Sequence, residues 1–310
     1  MIFAFIACIC WSIAVFPVTE AIKRIGHEPV NLFRHLIGFV LFSSVVLIFK
    51  ANYYQRLING DKWPILLLLL SGIFGLVFSD LLRLKSLNKL GIKTVSIFSS
   101  FQPVLSLGFG YLFLNEQHNY AGIIGLLMVC SGLLLYFLSK KEKVEIIKAG
   151  YSFHSKDFFI LLACMVFQAL AIVFSKKAIV QLNNRYEAYE IAYTRIIGAV
   201  IVMLVYALVN GKLIQWLNDF KNNKNNANKY FIASTTLGNV IAVSCSIYAL
   251  SILDSVVAQS IFSLTPFFIL PLNFIINKEK ITHITIVSFI ISISGVYLIL
   301  WEKTIINMFN

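Results

Sequence analysis

The chain has 310 residues, 59% of them hydrophobic and 13% charged, with a formal net charge of +12 and a mean hydropathy of +0.82. Water-soluble proteins carry about a quarter charged residues, so a water-facing surface is excluded for most of this chain, and a bilayer is the solvent that fits. Lys and Arg cluster between apolar runs, which suits lipid headgroups and topology, and the Asn222–Asn228 stretch is too short and weakly charged for nucleic acid.

Crossing a bilayer takes roughly 20 apolar residues per helix. Segments that qualify run approximately 2–22, 30–49, 65–84, 92–113 and 118–138, then 158–179, 189–210, 230–252, 255–276 and 282–301. The first begins apolar without a basic flank and has no small-residue cleavage site before Glu20–Arg24, so it reads as a retained helix. Breaks fall at Glu28-Pro29, Lys62-Trp63-Pro64, Asn115–Asn119 and Asn277–Lys280, with Glu116 and Glu279 read as turn and capping residues. The connections Leu87–Gly91 and Leu250–Ser255 are short enough to demand antiparallel hairpins. Cys8, Cys10, Cys130, Cys164 and Cys245 all lie in apolar segments and fit no zinc or disulfide framework.

The halves repeat. Shifting by 163 positions, from Gly75 to Gly238, also brings Leu87 onto Leu250, Leu90 onto Leu253, Ser100 onto Ser263, Pro103 onto Pro266, Glu116 onto Glu279 and Gly132 onto Gly295. With small loop adjustments Arg34 lies opposite Arg195. The expected fold is therefore an all-α integral membrane protein of ten transmembrane helices. Residues 1–139 form a first five-helix repeat, 140–156 a basic connecting loop, and 157–302 a second repeat. An odd number of crossings inverts one copy relative to the other. Inverted repeats around a central cavity are the architecture of alternating access.

The repeat unit resembles the EamA-type module of the drug/metabolite transporter superfamily. The resemblance rests on Leu87…Gly91…Pro103…Leu114-Asn115-Glu116…Gly122…Gly132 and its second copy Leu250…Pro266…Asn277-Lys278-Glu279…Gly295. Trp11-Ser12, Arg34, Arg195 and Gly75…Asp80-Leu81-Leu82 add to it. The second copy departs at Gln168 (for Trp11), Val243 (for Asp80) and Thr285 (for Gly122), so polar chemistry is concentrated in the first half. The resemblance implies that four helices of each half line the cavity, with the fifth and tenth peripheral. It also implies a multi-pass protein of the bacterial inner (plasma) membrane.

Charges inside a membrane cost at least about 2.5–3.5 kcal/mol on insertion scales and are functional candidates by default. Arg34 and Asp80 sit at matching depths and can form an ion pair, either a gate with Asp80 as the proton-coupling candidate or a structural pair. Arg195 has no acidic counterpart, Glu190 and Tyr193 being its nearest options. It would either hold a carboxylate or phosphate or snorkel to the headgroups. Ser96, Ser99, Ser100, Pro103 and Ser106 share a helical face, repeated as Gln259, Ser263 and Pro266. That face reads as cavity lining with Pro103 and Pro266 as hinges, or as close helix packing. Trp11, Asn31, Gln102, Gln168, Tyr193, Asn239 and Tyr248 complete a cavity that is mildly polar, aromatic and positive, suited to zwitterions or anions of metabolite size.

The expected function is secondary transport of a small polar metabolite such as an amino acid. The alternatives are an integral-membrane enzyme or a scaffold. Scattered histidines (His27, His35, His118, His154, His283) and the lack of a nucleotide-binding loop argue against catalysis or ATP-driven pumping. The expected partners are a small-molecule substrate and membrane lipid, with no nucleic acid, no cofactor, no metal, and a monomer or weak homodimer. The positive-inside rule and the family's expected orientation point opposite ways, because odd-numbered loops hold most of the Lys and Arg.

Overall fold

The computed structural model describes residues 1–49, 52–115, 120–151, 154–183, 185–222 and 226–309. Glu116 and the rest of the 116–119 break lie outside the described residues. The described chain is helical because lipid offers the backbone no hydrogen-bond partner, and a helix pairs its N–H and C=O groups within one segment.

The first half comprises α1 (Ile2–Ile25), α2 (His27–Phe49), α3 (Tyr53–Asn59), α4 (Lys62–Gly72), a π-helical segment π1 (Ile73–Ser79), α5 (Asp80–Ser99), α6 (Gln102–Leu114) and α7 (Tyr120–Leu138). After α8 (Lys140–Lys148) come α9 (Ser155–Leu182), α10 (Ala188–Val209), α11 (Leu213–Lys221), α12 (Asn228–Ser234), π2 (Thr235–Ala242), α13 (Val243–Ile252), α14 (Ser255–Phe262), α15 (Thr265–Asn277) and α16 (His283–Phe309). Among the described residues, eight helical runs are long and apolar enough to cross a membrane, and Gln102–Leu114 and His283–Ile299 are shorter apolar helices. The protein is an integral, multi-pass membrane protein.

The run Lys62–Ser99 has 38 residues. At 1.5 Å per residue it would span about 57 Å, nearly twice a hydrocarbon core. It is interrupted at Gly91, whose φ of 79° and ψ of 166° are not helical. A β-carbon there would lie 2.6 Å from the ring of Tyr151, so the turn needs glycine for both conformation and space.

The segment expected to be a basic loop, 140–156, instead contains α8, which Ser139 caps and which buries Glu142 and Ile146 one turn apart. Glu142, on α8, accepts from Lys93 Nζ at 2.9 Å and from Thr285 Oγ1 at 2.6 Å, and also bonds Thr282. The linker is thereby fastened to both halves.

Packing is mostly between halves. α4 and π1 lie on α9, α1 on α12, π2 and α13, α2 on α10, and α6 on α14. α7 runs along α16 at glycine-sized separation: a β-carbon on Gly125 would lie 2.5 Å from the Gly295 carbonyl, and one on Gly132 2.5 Å from Ser292 Oγ. Val129, Val296 and Ile299 of this outer pair form a small core with Val256 of α14, apart from the main cluster. Ile123, Ile124, Leu127, Leu134 and Leu138 are exposed on it, a face that suits lipid.

Candidate functional site

A cavity of about 170 Å³ lies between the halves. Two repeat-related features shape it. The 163-residue shift carries 73–79 onto 236–242, so π1 and π2 nearly coincide under it. Such wide turns loosen the helical ladder and recur at functional sites. Each offers a glycine to the arginine of the opposite half. A β-carbon on Gly75 would lie 2.9 Å from Ala171 Cβ and 3.3 Å from Arg195 Nη2. One on Gly238 would lie 3.3 Å from Ala14 Cβ and 3.6 Å from Arg34 Nη2.

The two arginines are buried to a similar degree, 4% and 3% exposed, but differ in company. Arg34 donates Nη1 to Asp80 Oδ2 at 3.4 Å and Nη2 to Asn239 Oδ1 at 2.5 Å. Arg83 takes the other oxygen of Asp80 with Nε at 3.0 Å and Nη2 at 2.6 Å. Arg195 donates Nε to Ser71 Oγ at 3.0 Å. No carboxylate pairs with it among the described residues: Glu190 is bound by Arg56, and the Tyr193 hydroxyl bonds Ser43 and Tyr54. The described wall therefore carries three guanidiniums against the single carboxylate of Asp80.

Of the expected cavity residues, Trp11, Arg34, Asp80, Ser96, Gln102, Gln168, Arg195, Asn239, Gln259 and Ser263 lie on this wall. Trp11 meets Phe262 edge-on at 5.3 Å. Gln168 Oε1 lies 3.6 Å from the β-carbon position of Gly75, beside Arg195. Gln259 is buried with Nε2 unpartnered.

Asn31, Tyr193, Ser100 and Tyr248 are off the wall. Asn31 turns its amide onto the Leu76 carbonyl at 3.2 Å. Tyr193 packs under α3, against Tyr53 and Tyr54. Ser100 is buried outside the cavity because the helix breaks at Ser100–Phe101, which rotates the face that began at Ser96. Tyr248 is exposed and meets the Phe3 ring at a tilt of 56°.

Pro103 and Pro266 also lie off the wall, and the helix breaks precede them rather than coincide with them. Each proline sits in the first turn of α6 or α15, where its missing N–H costs nothing. At the breaks, Phe101 N bonds Phe98 O at 3.0 Å and Leu264 N bonds Ile261 O at 3.0 Å, tight i to i−3 turns. The freed carbonyls are taken up locally, Ser96 O by Ser99 and Phe262 O by Thr265. Glu279, on its turn, accepts from Asn273 at 2.9 Å.

The sequence reading missed Arg83 as a partner of Asp80, although acid and base three residues apart on a helix are neighbours. It also missed Ser79, Cys164, Met165 and Ser246 on the wall. Among the described residues no three His, Cys, Asp or Glu side chains gather to hold a metal ion.

A sequence profile of the EamA-like transporter family matches residues 1–138 and 155–301. The chain belongs to the EamA-like transporter family. An uncharacterized transporter, YoaV, of Bacillus subtilis (strain 168) is 28% identical over 140 residues, 45% of this EamA-like chain and 47% of that relative. The match thus spans about half the relative's length. One solved crystal structure shares the fold with a TM-score of 0.68 at 14% identity, covering 98% of this chain and 97% of its own.

Proposed function

We propose that this EamA-like protein is a secondary transporter that moves a small carboxylate-bearing metabolite, an amino acid or similar zwitterion or anion, across the bacterial inner membrane. The observation that carries the reading is Arg195. It is a buried guanidinium on the cavity wall with one neutral partner, and its planar fork suits a carboxylate bidentately. A bound anion would supply the counter-charge that the fold omits, while Gln168 and Gln259 offer neutral hydrogen bonds to a second polar group.

The mechanism proposed is alternating access between residues 1–139 and 157–302, read as inverted five-helix repeats making ten crossings. Supporting it are the length of Lys62–Ser99, which exceeds one crossing and is broken at Gly91, and the packing of each half mainly on the other. Asp80, the coupling candidate, has one oxygen engaged by Arg83 and the other by Arg34, so we assign it the role of counter-ion.

The test is counterflow in liposomes containing purified protein, with labelled amino acids and organic acids against labelled amines. Uptake of a carboxylate-bearing solute, lost in Arg195→Gln, is expected. Uptake confined to amines would refute the substrate class, and no uptake of any solute would refute transport of this class. An unchanged pH profile in Asp80→Asn is expected for a counter-ion, and loss of the profile would restore the coupling role.

A further inference from the structure

His35 is a fully buried titratable side chain that the proposed cavity chemistry leaves without a part. It follows Arg34 on α2. Its Nε2 lies 2.7 Å from the Leu76 carbonyl of π1, and its Nδ1 lies 3.2 Å from Asn239 Nδ2 of π2. One imidazole therefore joins the two wide-turn segments, one from each half.

The partners dictate the protons. A carbonyl only accepts, so Nε2–H donates to Leu76. Asn239 Oδ1 is occupied by Arg34 Nη2 at 2.5 Å, so the atom facing His35 is the amide nitrogen, which donates to the Nδ1 lone pair. The ring is held as the neutral Nε2–H tautomer. Asn239 cannot turn over without aiming its NH₂ group at a guanidinium. A second ring proton thus finds no acceptor on Asn239, and a protonated ring must part from it.

The scaffold does not demand this arrangement. The offset that pairs Arg34 with Arg195 places Ala192 opposite Asn31 and Ile196 opposite His35, and both are buried. The same helix packs in its second copy with no polar group at either place.

The charged surroundings are few. Arg34 adjoins on α2, and α5 contributes Asp80 and Arg83. From α10, Arg195 is turned onto Ser71 and Glu190 onto Arg56. Glu20, Lys23 and Arg24 of α1 pair among themselves at its C-terminal end, and Lys229 of α12 lies over Tyr230. Asp80 is already shared by two guanidiniums, so an imidazolium would add positive charge without a free counter-ion.

We propose that His35 is a proton-binding site: a proton taken up at Nδ1 replaces the Asn239 hydrogen bond, cuts the imidazole bridge between π1 and π2, and favours opening of the cavity between the halves. Only an N–H bond forms and only a hydrogen bond breaks, and the ring gains one positive charge. The proposal rests on the transport reading, since it supplies that cavity with its proton response.

The test is hydrogen–deuterium exchange on the full-length protein in nanodiscs at about pH 8 and about pH 5.5, spanning the range in which imidazole titrates. Rates are corrected for intrinsic exchange. Amides of 73–79 and 235–242 are expected to exchange at least about tenfold faster at the lower pH in the wild type. His35→Gln can donate to Leu76 and accept from Asn239 yet cannot titrate, so its exchange should not respond. Asn239→Asp gives a protonated ring an acceptor and should also abolish the response. A wild type without the response, or either variant keeping it, would overturn the proposal. No substrate enters this experiment. Failed counterflow with an intact exchange response would remove transport and leave the proton site, and the converse would remove only His35.

Discussion

The places around Arg34 and Arg195 are duplicated in backbone and unequal in charge. In each, an arginine from one half lies against the glycine of a π segment and near an alanine, Gly238 with Ala14 in one case and Gly75 with Ala171 in the other. Arg34 is neutralised by Asp80 and held by Asn239, whereas Arg195 has Ser71. Close backbone approach tolerates few residues, so it is kept in both copies. Charge compensation is local and can be withdrawn from one copy without moving a helix. The uncompensated place is where an anion from outside gains most, because a buried charge lacking its counter-ion costs several kcal/mol.

The sharpest way to break the comparison is at the compensated arginine. Asp80→Ala leaves Arg34 and Arg83 facing each other and should cost about 3–5 kcal/mol of stability, the usual result of removing one partner of a buried pair. Denaturant unfolding in nanodiscs would measure it. Next in size is equalising the two places. Val243 is the repeat-mate of Asp80 and lines the same cavity. Val243→Asp should provide Arg195 with an internal partner and weaken carboxylate binding roughly 10- to 100-fold, the worth of about 1.5–3 kcal/mol for a charged hydrogen bond. Isothermal titration with the counterflow substrate would show it, and unchanged affinity would remove Arg195 from the binding site. The smallest effect concerns the two glycines. Gly75→Ala meets Ala171 at 2.9 Å and Gly238→Ala meets Ala14 at 3.3 Å. The first should cost about 1–3 kcal/mol as overpacking, and the second less. Paired melting curves would reveal whether that order holds.

Much of the fold was legible because bilayer thickness sets a length that apolar runs must meet, and Trp11, Arg34, Asp80 and Arg195 stood out as polar groups inside such runs. The π segments were not legible. Their extra residue per turn leaves no compositional mark in runs such as Ile73-Phe74-Gly75-Leu76. Ser100 misled because a periodicity argument assumes an unbroken helix, and the break lies at that residue. Tyr193 misled because its partners, Tyr53 and Ser43, are some 140 to 150 positions away in the chain. His35 was passed over as one of five scattered histidines. Its partners are a backbone carbonyl and an amide, and neither leaves a motif.

Glu142 ties the linker helix to Lys93 on one side and to Thr285 on the other. A clasp of this kind makes the connecting helix a third party to the contact between the halves. Parting the halves at that end would break a buried ion pair or strip a carboxylate of its hydroxyl donors, while at the α3 end Arg56 on Glu190 joins the halves directly. The stretch that joins the halves in sequence thus also joins them in space, through one buried carboxylate.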